Sequence, residues 1–203
     1  MARIITVSRE FGSGGREIGK RLADELGFEY YDREIIEQVA KESNLDPAYV
    51  ENALNGNFAL SFPVTFGRTF FYSDTIQQNI TDLLVAEQNI IKSLAESGKD
   101  MIIVGRSADV LLKKYNPLNI FVYADMESKI KRCRWRAPIN EQYTDKELAK
   151  KIKQVDAGRA RQRRFLTDSE WGVKESYHLC INTTGINIKN LIPPLAEFIK
   201  NYF

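Results

Sequence analysis

Short apolar runs alternate with stretches whose apolar residues recur at helical spacing. Ile4 to Val7, Phe28 to Tyr31, Met101 to Val104, Asn119 to Ala124 and Tyr177 to Asn182 read as strands. The third and fourth are continuously apolar, as in parallel strands buried on both faces. Between the strands, Ile18, Leu22 and Leu26 mark a helix from Gly15 to Leu26 that stops at Gly27. Ile35, Ile36 and Val39 mark another from Arg33 to Glu42, and Asp46-Pro47 opens a short one. Ser73 or Asp74 caps a long helix to about Glu96, closed by Gly98. Met126 to Arg136 is helical and basic, and Thr144-Asp145-Lys146-Glu147 is a capping box for a helix to about Arg164. From Asn187 the chain is amphipathic again, and Pro193-Pro194 is expected to kink or restart that helix. Residues 55–72 keep no period.

Such alternation predicts an α/β fold, a parallel sheet with helices on both faces, and places ligands at the carboxyl ends of the strands. Polar residues gather at those ends: Arg9 and Arg16 after the first strand, Asp32 and Arg33 after the second, Arg106 and Asp109 after the third, Asp125 after the fourth. The first strand also runs straight into Gly12-Ser13-Gly14-Gly15 and a helix. A glycine loop at a helix N-terminus turns free N–H groups and a positive dipole end toward an anion. Against the pattern G-x-x-x-x-G-K-[ST], Arg9 takes the first glycine's place, Gly14 fits, Gly15 replaces lysine and Arg16 replaces Ser/Thr. Arg9 and Arg16 flank the glycines and can grip phosphate with two N–H groups. The bland alternative is a glycine turn with no ligand.

Composition narrows the function classes. A chain of 203 residues with net charge +2 gives no global reason for a nucleic-acid or membrane partner. No apolar run reaches the ~18 residues of a membrane span, and no signal peptide is expected ahead of the first strand. Cys133 and Cys180 have neither metal-ligand spacing nor a disulfide framework, which suits the cytoplasm. The lone histidine, His178, lies in an apolar run and reads as a core or strand-end residue.

Basic charge is local. Lys129, Lys131, Arg132, Arg134 and Arg136 share one helix, and Arg159, Arg161, Arg163 and Arg164 share the next with Asp156. Joined by a short hinge at 137–143, these helix ends form a candidate lid over a polyphosphate. A solvated basic face and a nucleic-acid patch are the alternatives. The aromatic segment 55–72, with Phe58, Phe62, Phe66 and Phe70, reads as a flap or a homodimer contact.

The chain resembles the cytidylate kinase-like family of nucleoside monophosphate kinases. The resemblance rests on ITVSREFGSGGREIG from Ile5, FEYYDREII from Phe28, IIVGRSADVL from Ile102, IFVYADMESKIKR from Ile120 and IKQVDAGRARQR from Ile152. It implies a single three-layer α/β/α P-loop kinase domain over residues 1–203. That domain has a five-stranded parallel sheet, an acceptor-binding helical region near 33–97 and a lid near 132–164. It implies transfer of the γ-phosphoryl group of ATP to CMP or dCMP with magnesium. By position, Gly12, Ser13, Gly14, Gly15, Arg16 and Glu17 would hold the donor, and Asp32, Arg33, Arg106, Asp109, Asp156, Arg159 and Arg163 the acceptor. Arg16, Arg132 and Arg136 would act in catalysis. The phosphate-loop lysine and the magnesium-binding Ser/Thr are absent, Val104 replaces an acid, and Ser107 stands where an acid follows Arg106. Glu17 and Asp109 are the candidates for the metal. The runner-up reading is a nucleotide-binding regulatory module without catalysis.

Overall fold

The computed structural model describes residues 2–54, 72–137 and 143–203. Strands β1 (Ile4–Arg9), β2 (Glu29–Tyr31), β3 (Met101–Val104), β4 (Leu118–Tyr123) and β5 (Leu179–Asn182) form one sheet in the order β2-β3-β1-β4-β5. Every pairing is parallel, with Ile5 beside Ile102 and Leu118 at the centre. The helices are α1 (Gly15–Leu26), α2 (Arg33–Ser43), α3 (Pro47–Leu54), α4 (Tyr72–Glu96), α5 (Ala108–Leu111), α6 (Met126–Arg136), α7 (Asp145–Leu166) and α8 (Ile188–Tyr202).

Alternation along each strand sorts side chains into two cores. Ile5, Val7, Ile102, Val104 and Ile120 pack against Ile18 and Leu22 of α1 and Ile192 and Ile199 of α8. Ile4, Met101 and Ile103 face Ile36 and Val39 of α2, Val50 of α3 and Ile91 of α4. This is the three-layer α/β/α arrangement expected from the alternation. Both chemical caps form: Thr144 Oγ1 accepts from Glu147 N at 3.3 Å while Glu147 Oε2 accepts from Thr144 N at 2.8 Å, and Asp46 Oδ1 accepts from Ala48 N at 2.9 Å.

The differences have local causes. β5 starts at Leu179 rather than Tyr177, because Tyr177 N closes a 3₁₀ turn on Lys174 O. His178 sits at the strand end, its Nδ1 accepting from Asn119 N at 2.9 Å. The segment from Asn187 makes one helix through Pro193 and Pro194 instead of restarting. Both prolines face solvent, while Ile188, Ile192, Leu195 and Ile199 are buried on the opposite stripe. Packing of that stripe outweighs two lost hydrogen bonds whose carbonyls water can reach. Gly105 to Asp109 is not all loop, since α5 begins at Ala108. The proposed docking segment 55–72 lies outside the described residues except for Tyr72, and so does the lid connection at 138–142. Among the described residues no helix is long and apolar enough to cross a membrane.

Helix α4 also buries a carboxylate. Glu87 lies one turn from Leu83 and Ile91 on the inward stripe, 3.4 Å from Arg106 Nη1, and burial pushes its carboxyl up from 4.5 to about 7 despite the guanidinium. The fold therefore favours the protonated acid. Its contribution to stability is fullest below pH 4.5, declines as pH rises toward 7, and changes little beyond. Urea unfolding across pH 4 to 8 should show that decline in the wild type, and Glu87→Gln should flatten it.

Candidate functional site

The glycine loop is shaped by what presses on it. After β1, Glu10 N donates to Val122 O at 2.9 Å, which carries the chain over β4. Ser13 is fully buried, and both its N–H and its hydroxyl donate to Glu10 O, at 3.3 and 2.8 Å. Gly14 starts α1 with φ +88°, and a Cβ there would lie 2.2 Å from Ile188 Cδ1 of α8. Glycine therefore answers both a left-handed backbone and a close approach. Thr183 Oγ1 donates to Ser13 O at 2.7 Å from the far end of the chain. No side chain caps α1, so its first N–H groups are left for an anion.

Over this loop opens a cleft of about 310 Å³. Gly12, Gly14 and Gly15 line it, and among the described residues its cations are Arg9, Arg16, Arg132, Arg136, Lys151 and Arg159, against one carboxylate, Glu10. Asp32, 4% exposed, takes Arg16 Nε at 2.5 Å and Arg9 Nη2 at 3.4 Å. Burial, and then the charge of Arg159, hold the Arg9 guanidinium well below its ordinary pKa. Arg159 Nη1 donates to Arg9 O at 2.9 Å and to Asp156 Oδ1 at 3.2 Å. Asp156 also accepts from Phe11 N at 2.7 Å, and burial raises its carboxyl. Arg132 donates to Thr183 O while its Nη1 is buried without a partner among the described residues. Arg136 pairs with Glu17, which also holds Arg21 Nε at 2.8 Å.

Beside the cleft, the tip of β3 turns through three successive left-handed residues, Gly105 (φ +80°), Arg106 (φ +59°) and Ser107 (φ +49°). For the two non-glycines this costs roughly 1–2 kcal/mol each. The turn aims buried Arg106 at Glu87, whose other oxygen accepts from Gln162 Nε2 at 3.2 Å. The Arg106–Glu87 contact is close but misaligned, and Arg106 Nε and Nη1 and Glu87 Oε1 lack hydrogen-bond partners among the described residues. A cavity of about 20 Å³, room for about one water, lies between Ser8, Arg9, Arg106, Ser107 and Arg159.

The remaining candidates go elsewhere. Arg163 Nη1 meets Asp109 Oδ2 at 2.5 Å, both side chains buried, and ties α7 to α5 outside the cleft lining. Arg33 is exposed and reaches Glu51 at 3.5 Å. Asp125 caps α6 through Ser128 N at 2.7 Å. Of the basic helix face, Arg134 bridges to Asp145 at the start of α7, and Lys129 is buried on Glu10 at 2.9 Å. Glu10 and Glu87 were absent from the sequence-derived site, and Lys129 entered it only as one cation of the basic helix. Glu87 had a legible signal, an acid at the i+4 position of an otherwise apolar stripe.

For magnesium the donor set is poor. Glu17 is held by Arg136 and Arg21, Asp109 by Arg163, and among the described residues no cluster of three or more acids, histidines or cysteines forms. The position of the usual loop Ser/Thr is Arg16. Among the described residues no magnesium cage forms.

Solved structures share this architecture. An uncharacterized protein from Eubacterium ventriosum ATCC 27560 aligns at 24% identity over 98% of each chain, with a TM-score of 0.71. Shikimate kinase from Bacteroides thetaiotaomicron aligns at 15% identity over 98% of each chain, TM-score 0.57. Shikimate kinase from Acinetobacter baumannii aligns at 15% over 100% of this chain and 95% of that one, TM-score 0.53. The fold is that of the P-loop kinases. No curated protein sequence matches the chain. Residues 4–185 match the family described as the cytidylate kinase-like family, and by that match over most of its length the chain belongs to it.

Proposed function

We propose that the protein is a phosphotransferase that moves the terminal phosphoryl group of ATP onto a small acceptor, a nucleoside monophosphate with CMP or dCMP foremost. The observation that carries this reading is the meeting of two cation-lined spaces at the strand tips. The loop cleft and the Arg106 cavity share Arg9 and Arg159 as a common wall. Donor phosphates fit the loop's N–H groups, with Arg16, Arg132 and Arg136 over them, and Arg106 with its unpartnered N–H groups serves the acceptor's phosphate. Asp32 and Asp156 border the acceptor. Transfer then needs positioning and charge neutralisation more than covalent chemistry. Magnesium would arrive on ATP, held by phosphate oxygens and water. One domain over 1–203, a cytoplasmic setting and a dimer through 55–72 complete the proposal.

A regulatory module that binds nucleotide without turning it over is the second reading. It is favoured by the missing loop lysine and by carboxylates already engaged with arginines. A thermal-shift screen of nucleotides with and without magnesium, followed by a transfer assay with ATP and each monophosphate, separates the two. A kinase shows midpoints raised by ATP and by its acceptor, and makes ADP. ATP binding with no transfer to any acceptor supports the module.

Two variants probe the assigned roles. Arg16→Ala should lower turnover by roughly 10³-fold or more, as for other charge-stabilising arginines in phosphoryl transfer, with Arg16→Lys recovering part. A loss of tenfold or less shifts that role to Arg132 and Arg136. Arg106→Ala should raise the acceptor's KM at least tenfold and leave that of ATP nearly unchanged; the reverse pattern moves Arg106 to the donor side.

A further inference from the structure

We propose that Arg9 holds the terminal phosphate of the donor, in the place a phosphate loop ordinarily gives to its lysine, and that Gly15 is glycine because Arg9 is there. The inference rests on the donor reading above.

Two departures from the loop pattern look unrelated in sequence: arginine for the first glycine and glycine for the lysine, six positions apart. In space they are one feature. A Cβ on Gly15 would lie 2.5 Å from Arg9 Cβ, 3.0 Å from Arg9 Cγ and 3.3 Å from Val122 Cβ. Those atoms sit at the root of the arginine and cannot swing aside, so Arg9 and a lysine at 15 exclude each other. The arginine stem then runs under the loop to β3, where a Cβ on Gly105 would lie 1.7 Å from Arg9 Nη1. At Gly105, whose φ of +80° already calls for glycine, the guanidinium tip rests against backbone; at Gly15 it is the root of the same side chain that leaves no room for a Cβ.

The stem delivers a cation with donors to spare. Among the described residues the Arg9 guanidinium, its side chain 12% exposed, makes one hydrogen bond, 3.4 Å to Asp32, out of the five N–H groups it carries. A partly desolvated guanidinium with N–H groups open to the cleft is a receptor for an anion with several oxygens. Arg159 pins the Arg9 carbonyl at 2.9 Å, which fixes where the side chain departs. Arg9 lines both the loop cleft and the strand-tip cavity, so its charge lies on the seam between donor and acceptor. Arg16, 51% exposed and with its Nε on Asp32 at 2.5 Å, approaches the same carboxylate from the solvent side.

The exchange can be run backwards. Wild type, Arg9→Gly, Gly15→Lys, the double variant and Arg9→Lys are compared by thermal midpoint and by calorimetric titration with ATP, ADP and AMP in magnesium. Gly15→Lys should unfold at a lower temperature than the wild type. Arg9→Gly should bind ATP at least tenfold more weakly, with a smaller loss for ADP and least for AMP. The double variant, which restores the pattern's first glycine and its lysine but keeps Arg16, should be more stable than Gly15→Lys and bind ATP more tightly than Arg9→Gly. If Arg9→Gly fails to fold, Arg9→Lys keeps the pairing with Asp32 and should still lose ATP affinity relative to ADP. Unchanged ATP affinity in the folded Arg9 variant, or a double variant no better than either single one, overturns the proposal while leaving the kinase reading intact. A wild type that binds ATP but transfers nothing sinks the kinase reading and leaves this binding test standing; a wild type that binds no nucleotide overturns both.

Discussion

A guanidinium taken out of water needs a counter-charge, and the carboxyl edge of this sheet is organised around that need. Arg9 and Arg16 share Asp32, Arg159 holds Asp156, Lys129 holds Glu10 and Arg163 holds Asp109, while Arg106 meets Glu87, whose carboxyl burial pushes toward the neutral acid. The acids come from β1's exit, the start of α2, α4, α5 and α7, so the pairs also stitch helices to strand tips. Removing one member of such a pair leaves a buried charge and typically costs 3–5 kcal/mol. The pairs are also imperfect: Asp32 is divided between two arginines, and Glu87 and Arg106 meet without hydrogen-bond alignment. An incoming anion can thus replace carboxylates as the arginines' partner without first having to dehydrate them.

The same crowding explains the backbone. Gly14 yields to Ile188, Gly15 yields to Arg9, and Gly19 brings α1 onto β3, where a Cβ would lie 2.7 Å from Val104 Cγ2. Each glycine marks a neighbour rather than a hinge. A sheet built from continuous apolar strands supplies the rigidity against which a left-handed turn at Arg106 and Ser107 can be held.

Much of this was legible in the sequence. Period and caps located the strands and the longer helices to within a residue or two, though not the one-turn α5, because buried stripes and the Thr144–Glu147 and Asp46 side chains act locally. The continuity of α8 was hidden because its stripe outweighs two prolines only once the sheet is present. Candidate site residues at strand ends were legible because parallel α/β sheets turn those ends to one side. What could not be read was which cation pairs with which acid: Arg163 and Asp109 are 54 positions apart, yet bind each other. The relation of Arg9 to Gly15 was equally hidden, since a pattern compares positions singly and packing joins them.

The hydrogen bond from Thr183 to Ser13 spans 170 positions, and Ile188 closes against Gly14 five residues later. A loop that looks like the most local feature of the chain is therefore completed by one of its most distant contacts. During synthesis from the N-terminus, the ribosome would have added the 170 positions between Ser13 and Thr183 before the anion cradle acquired its outer wall. The nascent protein would carry β1, α1 and their glycines for most of that time without a finished binding loop, so nucleotide could reward the completed fold but not guide its early stages.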